Sequence, residues 1–186
     1  MREVLELRDP GALRALAHPT RVRLLGLLRE QGPGTATTLG RATGASSGET
    51  SYHLRVLAQH GLIEPAQRQG RGRERWWRAA ARHFQLPQDA PPGSPLGAAA
   101  HLLRDEILRR DGRILEAFLA GEQPDSPPRP VLFSNEVIYV TASEMREIGE
   151  RISAALRPFV RGDPAERPPG AERVYLAVHA VPWQEL

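Results

Sequence analysis

Cysteine is absent from the 186 residues. That excludes a disulfide framework, a thiolate metal site and a thiol redox switch. Lysine is absent too, and all 25 cationic side chains are arginine. No run approaches the roughly 18 apolar residues that a membrane-spanning helix needs, so no membrane partner is expected. The first ten residues, MREVLELRDP, alternate charged with apolar side chains and hold no apolar stretch ahead of a small-residue cleavage site. The expectation is a protein that stays in the cytoplasm. Catalytic signatures are missing as well: there is no G-x-S-x-G and no H-E-x-x-H, and Gly70-Arg71-Gly72-Arg73 lacks the lysine and the following Ser or Thr of a phosphate-cradling loop. Neither an enzymatic activity nor a cofactor is expected.

What is present is unevenly spread. Residues 1–83 hold 14 Arg against 7 acids, a net of +7, while residues 84–186 hold 11 Arg against 15 acids, a net of −4, and the two halves together give the overall +3. A basic first half points to a polyanionic partner. The hydrophobic fraction of 40% suffices for globular folding, and three proline-rich stretches suggest two small cores rather than one large one.

Along the chain, Asp9-Pro10 reads as an N-cap and a proline at the first helical position, with Leu13, Leu16 and Ala17 at helical spacing. Pro19 opens a second helix with a broad apolar face from Val22 to Leu28, stopped by Gly32-Pro33-Gly34. Thr35 to Ala42 reads as a third short helix and Gly44 as a turn. Ser46 with Glu49 is a capping-box pattern for a fourth helix that runs to about His60, where Gly61 ends it. Leu62 to Gln67 then reads as a strand, residues 68–73 as a basic turn and Arg75 to Arg78 as a returning strand. Three helices, a fourth and a basic hairpin is the order of a winged helix-turn-helix.

The fourth helix has two unlike sides. At about 100° per residue, Thr50, Leu54, Leu57 and Ala58 fall on one side and Gly48, Tyr52, Arg55 and Gln59 on the other. A helix of this kind fits the major groove of B-DNA, whose edges are read by side chains that donate and accept hydrogen bonds. The candidate DNA-binding residues are Ser46, Ser47, Thr50, Ser51, Tyr52, His53, Arg55 and Gln59 on this segment, with Arg68, Arg71, Arg73 and Arg75 on the hairpin. Arginine in a glycine-punctuated loop can lie on phosphates or enter a minor groove. A polar, solvated helix face is the bland alternative for the helix alone, but it does not explain the concentration of one charge in the hairpin. Trp76 and Trp77 are adjacent on a strand and point to opposite faces, one into the core.

The stretches LRALAHPTRVRLLGLL (13–28) and SSGETSYHLRVLAQHGLIE (46–64), followed by the arginine-rich wing, resemble the ArsR-type winged helix-turn-helix regulators over roughly residues 8–82. The resemblance implies a cytoplasmic dimer on an operator of dyad symmetry, usually a repressor relieved by an effector, with residues 46–55 as the recognition segment. The family's metal sensors often carry a C-V-C on the third helix, and this chain has no cysteine to supply one. Histidines do not obviously replace it. His53 and His60 lie two turns, about 10.5 Å, apart on one face; His101 and Asp105 are one turn apart, a spacing that usually makes a surface pair.

Beyond the hairpin, PQDAPPGSP (87–95) reads as a linker and Leu96 to Ala120 as a long amphipathic helix whose apolar stripe suits a dimer mate. Val131 to Val140 reads as a strand, Thr141 and Glu144 as a capping box for a helix to about Pro158, and Val174 to Val181 as a final strand. Two strands alone are marginal and call for a partner chain. The expectation is therefore an α+β protein. Residues 1–86 form a winged helix-turn-helix domain that binds double-stranded DNA, residues 87–95 a linker, and residues 96–186 a small α/β domain that dimerises and takes any small-molecule effector. The alternative is a winged helix used for protein interaction, docking its basic hairpin on an acidic partner.

Overall fold

In the computed structural model, described for residues 2–67, 74–87, 89–121, 131–161 and 164–182, short helices with sequence-encoded ends build the first half of the chain. Asp9 precedes α1 (Pro10–Leu16), and its carboxylate accepts from the amides of Gly11 and Ala12 at 2.9 Å. Those backbone donors hold the Asp9 carboxyl below its ordinary range. His18 caps α2 (Pro19–Glu30), its Nδ1 accepting from the Thr20 amide at 3.2 Å. Both helices begin with proline, which has no amide proton to leave unpaired. Thr35 and Thr38 exchange the two bonds of a capping box at α3 (Ala36–Thr43), and Gly44 closes that helix at φ 75°. α4 (Ser47–Gln59) follows after two residues.

β2 (Gly34–Thr35), β3 (Ile63–Pro65) and β4 (Trp76–Ala79) make an antiparallel sheet in the order β2-β4-β3. Glu64 lies opposite Arg78 and pairs with it at 2.9 Å. Two further strands were not expected from the sequence: β1 (Arg2–Glu6) pairs in parallel with β5 (Ala81–Gln85), with Val4 opposite His83. Leu13, Leu24, Leu54, Leu57 and Leu62 are fully buried beneath these elements, and Trp77 joins them while Trp76 is half-buried. Each buried leucine contributes roughly 1.5–3 kcal/mol relative to its exposed state.

The core does not stop at the proline-rich stretch. α5 (Pro95–Ala120) sends Ala99, Ala100 and Leu103 from its first turns into the same cluster. Arg104 donates to the Pro87 carbonyl at 2.9 Å and Arg8 pairs with Asp89 at 3.3 Å, so residues 87–95 turn the chain back onto the first half instead of spacing two cores apart. α5 runs through Gly112 without a break.

Past α5 the expected helix is present and the expected strands are not. Thr141 and Glu144 form the capping box of α6 (Ala142–Leu156), which is followed by 3-10 turns at Arg157–Phe159 and Pro164–Glu166. Residues 131–140 and 174–181 run without any ladder hydrogen bonds among the described residues, and their side chains are exposed, Tyr139 by 96%. β-branched composition favours an extended backbone, but a strand also needs a neighbour to bond to, and among the described residues none is seated beside either run.

Candidate nucleic-acid interface

The orientation of α4 is set from its two ends and its underside. Ser46 stands in extended backbone at the N-cap and its Oγ accepts from the Glu49 amide at 3.2 Å. The reciprocal bond of a capping box is not made; Glu49 instead turns toward His53, 4.0 Å away. At the other end Gly61 takes φ 65°, which lets the chain leave the helix toward β3. Underneath, α3 and α4 approach closely at Gly40, where an added Cβ would lie 2.8 Å from the Ala45 carbonyl oxygen and 3.1 Å from Thr50 Oγ1. With Leu54 and Leu57 locked in the core, the helix cannot rotate about its axis.

That rotation leaves Tyr52, Arg55 and Gln59 exposed on one face, with Ser46 and Ser47 exposed at the helix start and Ser51 half-buried at its edge. Tyr52 is 55% exposed. Arg55 holds its own helix, Nε donating to the Ser51 carbonyl at 3.3 Å, which leaves the outer guanidinium donors free to turn outward.

Two of the expected residues belong elsewhere. Thr50 is fully buried, and its hydroxyl donates to the Ser46 carbonyl at 2.8 Å, so it fastens the first turn instead of reaching a groove. His53 is 6% exposed and packs its ring 4.8 Å from that of His18 and 5.3 Å from that of Tyr52. Burial, then the nearby Arg21 charge, holds both histidines below their ordinary value, so both are neutral braces at neutral pH. His53 Nδ1 and Arg21 Nε are buried with no hydrogen-bond partner among the described residues.

Arg68, Arg71 and Arg73 lie outside the described residues. The returning base of the hairpin is anchored, by contacts that sequence reasoning missed. Thr37 on α3 donates to Glu74 at 2.6 Å, and the Arg75 guanidinium lies 4.1 Å over the ring of buried Trp77. Arg23 also escaped notice; it donates to the carbonyls of Ala42 and Thr43 at 2.8 and 3.4 Å and so ties α2 to the turn ahead of α4. The Thr37 and Arg23 contacts carry no sequence signal, because each joins residues far apart in the chain.

The metal candidate is an ordinary pair: His101 and Asp105 sit 3.9 Å apart on the exposed side of α5, and no cluster of three or more His, Asp or Glu able to hold an ion occurs among the described residues. No helix there is long and apolar enough to cross a membrane.

Residues 16–66 match the family model of a helix-turn-helix domain. The match spans α2, α3, α4 and β3, the elements that present the face just described. The chain thus carries a helix-turn-helix domain, which supports a DNA-binding transcriptional regulator. Among solved structures, the chain is similar to ZitR of Lactococcus lactis at 13% identity, over 77% of this chain and 83% of that one, with a TM-score of 0.34. It is also similar to the adhesin competence repressor of Streptococcus pyogenes at 12% identity, over 76% and 81%, with a TM-score of 0.30. No curated protein matches it.

Proposed function

We propose that this protein is a cytoplasmic, homodimeric transcriptional repressor of the ArsR type that binds an inverted-repeat operator through α4 and the basic hairpin. The observation that carries this reading is the outward face of α4: Tyr52, Arg55 and Gln59 exposed on a helix whose opposite side is locked into the core, with Ser46 and Ser47 exposed at its start. Hydrogen-bonding side chains on a rigid, protruding helix are what base-edge reading requires. In a two-fold dimer the recognition helices meet successive major grooves about 34 Å apart, so the operator has two half-sites.

Fluorescence anisotropy against the upstream duplex and a scrambled duplex, repeated across salt concentrations, tests it. The expected result is tighter binding to the native duplex, with log affinity falling by about 0.9 per phosphate contact for each tenfold rise in salt. Tyr52→Ala and Arg55→Ala are each expected to erase most of the preference, a loss of about 5- to 150-fold from roughly 1–3 kcal/mol of base discrimination. Equal, weak binding of both duplexes by the wild-type protein sinks the reading.

A further inference from the structure

The last run of strand-forming composition, residues 174–181, is held to its own chain by the side chains of Tyr175 and His179. Tyr175 donates its hydroxyl to Asp111 on α5, and His179 meets the other oxygen of the same carboxylate at 2.8 Å. Asp111 is buried, and burial together with that carboxylate pushes the Tyr175 hydroxyl up to about 12. Arg110 lies 5.5 Å over the Tyr175 ring, and just upstream Arg173 pairs with Glu30 of α2 at 2.6 Å. In an extended chain successive side chains alternate between faces. Tyr175 and His179 therefore define the docked face, and Val174, Leu176 and Val178 define the other, where they are 65, 50 and 54% exposed.

The run 131–140 is equally bare, with Leu132, Phe133 and Tyr139 at 82, 73 and 96% exposure. On α5 itself Leu108, Leu115 and Leu119 stand half-exposed at positions i, i+7 and i+11 of one face. Ordinary monomers expose patches of roughly 300–600 Å² at most, and a stable interface takes about 800 Å² from each partner. Ten large apolar side chains in the two runs alone, each at least half exposed, are interface material.

We infer that the occupant of this surface is a second copy of the chain, with residues 131–140 and 174–181 of the two copies bonded into one intermolecular sheet over the paired α5 helices. Three observations choose this occupant. Both runs are strand-forming sequence with open backbone edges, and such edges are met by another strand. The chain brings two such runs, so a dimer has four, past the two-stranded minimum at which a sheet is only marginally stable. A strand edge is also complementary to itself about a two-fold axis, so identical copies need no further fitting. The inference rests on the dimer in the proposed function and adds where that dimer is built.

Light scattering of the full chain, with hydrogen exchange measured above and below the concentration at which the dimer dissociates, tests it. The expected result is a dimer whose amides in 131–140 and 174–181 exchange at least tenfold slower than in the diluted monomer. A dimer in which these amides stay protected on dilution shows pairing within one chain and overturns the inference. A dimer in which they are never protected overturns it too, and both outcomes leave the dimeric repressor standing. A monomer at all concentrations removes dimer and inference together. The double variant Ile138→Asp with Val178→Asp, checked for an unchanged melt of the helix-turn-helix domain, is expected to be monomeric; a persisting dimer counts against the sheet.

Discussion

Residues 2–87 and residues 131–182 both carry runs of large apolar side chains, and they dispose of them in opposite ways. In the first region the leucines of α1, α2 and α4 converge on one cluster, and only Val4 and Tyr52 among its large apolar residues are exposed. In the second region no described residue is buried, although 131–140 and 174–181 are as rich in Val, Ile, Leu, Tyr and Phe as any core strand. The difference teaches what a core requires. Helices α1, α2 and α4, the β2-β4-β3 sheet and the first turns of α5 enclose the first cluster from several sides. The second region has one α-helix and two unpaired runs among its described residues, and elements that do not cover one another enclose nothing.

The largest effect separates the regions by packing. Leu54→Ala or Leu57→Ala removes a side chain with no exposed surface and is expected to cost about 2–5 kcal/mol, enough to lower the melting point by many degrees or prevent folding. Leu132→Ala, measured on protein diluted to monomer, is expected to change the melt by under about 0.5 kcal/mol. Equal losses from the two substitutions would break the contrast.

A smaller effect comes from the histidine brace. His18 and His53 are held below the ordinary histidine value of 6.5, first by burial and then by Arg21, with Glu49 opposing. The unfolded chain therefore takes up protons before the folded one does as the pH drops. The stability they contribute is complete above about pH 6.5 and falls as the pH passes down through their lowered folded values. Thermal melts between pH 7 and 5 are expected to show this loss, and His53→Gln to reduce its slope. His83 is lowered in the same sense, by burial and then Arg29, so the readout is the difference between the two proteins. An identical slope in both removes His53 from the account.

Helix ends were legible in the sequence where caps are local: Asp9, Ser46 and Thr141 each bond an amide within three residues, whereas Thr35, read as helical, is itself the cap of α3. The outward face of α4 was legible because helical periodicity needs only the segment itself. Thr50 was misplaced for a reason that its own spacing contained: it shares a side with Leu54 and Leu57, and its hydroxyl satisfies itself on the Ser46 carbonyl. His53 is buried by His18, 35 positions earlier, and no local pattern foretells that contact. The same holds for the β1 and β5 pairing and for Asp111, whose partners Tyr175 and His179 lie 64 and 68 residues away. The absent strands follow from the same limit, since composition selects an extended backbone while pairing is decided elsewhere.

If the second region is ordered by local signals, α6 must depend on its cap more than any helix of the first region does. α6 buries no residue fully and only half-buries Met145, Ile148, Ile152 and Leu156, so little from tertiary packing offsets the loss of its N-terminal bonds. Thr141 supplies both halves of that support: its Oγ1 accepts from the Glu144 amide at 3.3 Å, while its own amide donates to the Glu144 carboxylate at 2.7 Å. Removing an N-cap hydroxyl typically costs a helix about 1 kcal/mol. In α1 to α4 such a loss is held in check by the shared core. Thr141→Ala is therefore expected to lower the helical signal at 222 nm and to speed amide exchange in residues 142–150, with the melt of residues 2–87 unchanged. The Glu144 carboxyl is held below its ordinary range by the Thr141 amide first and its hydroxyl second, so the wild-type cap itself weakens as acid protonates it. A Thr141→Ala protein with α6 intact would mean that the helix is supported by packing, and the contrast between the two regions would lose its physical basis.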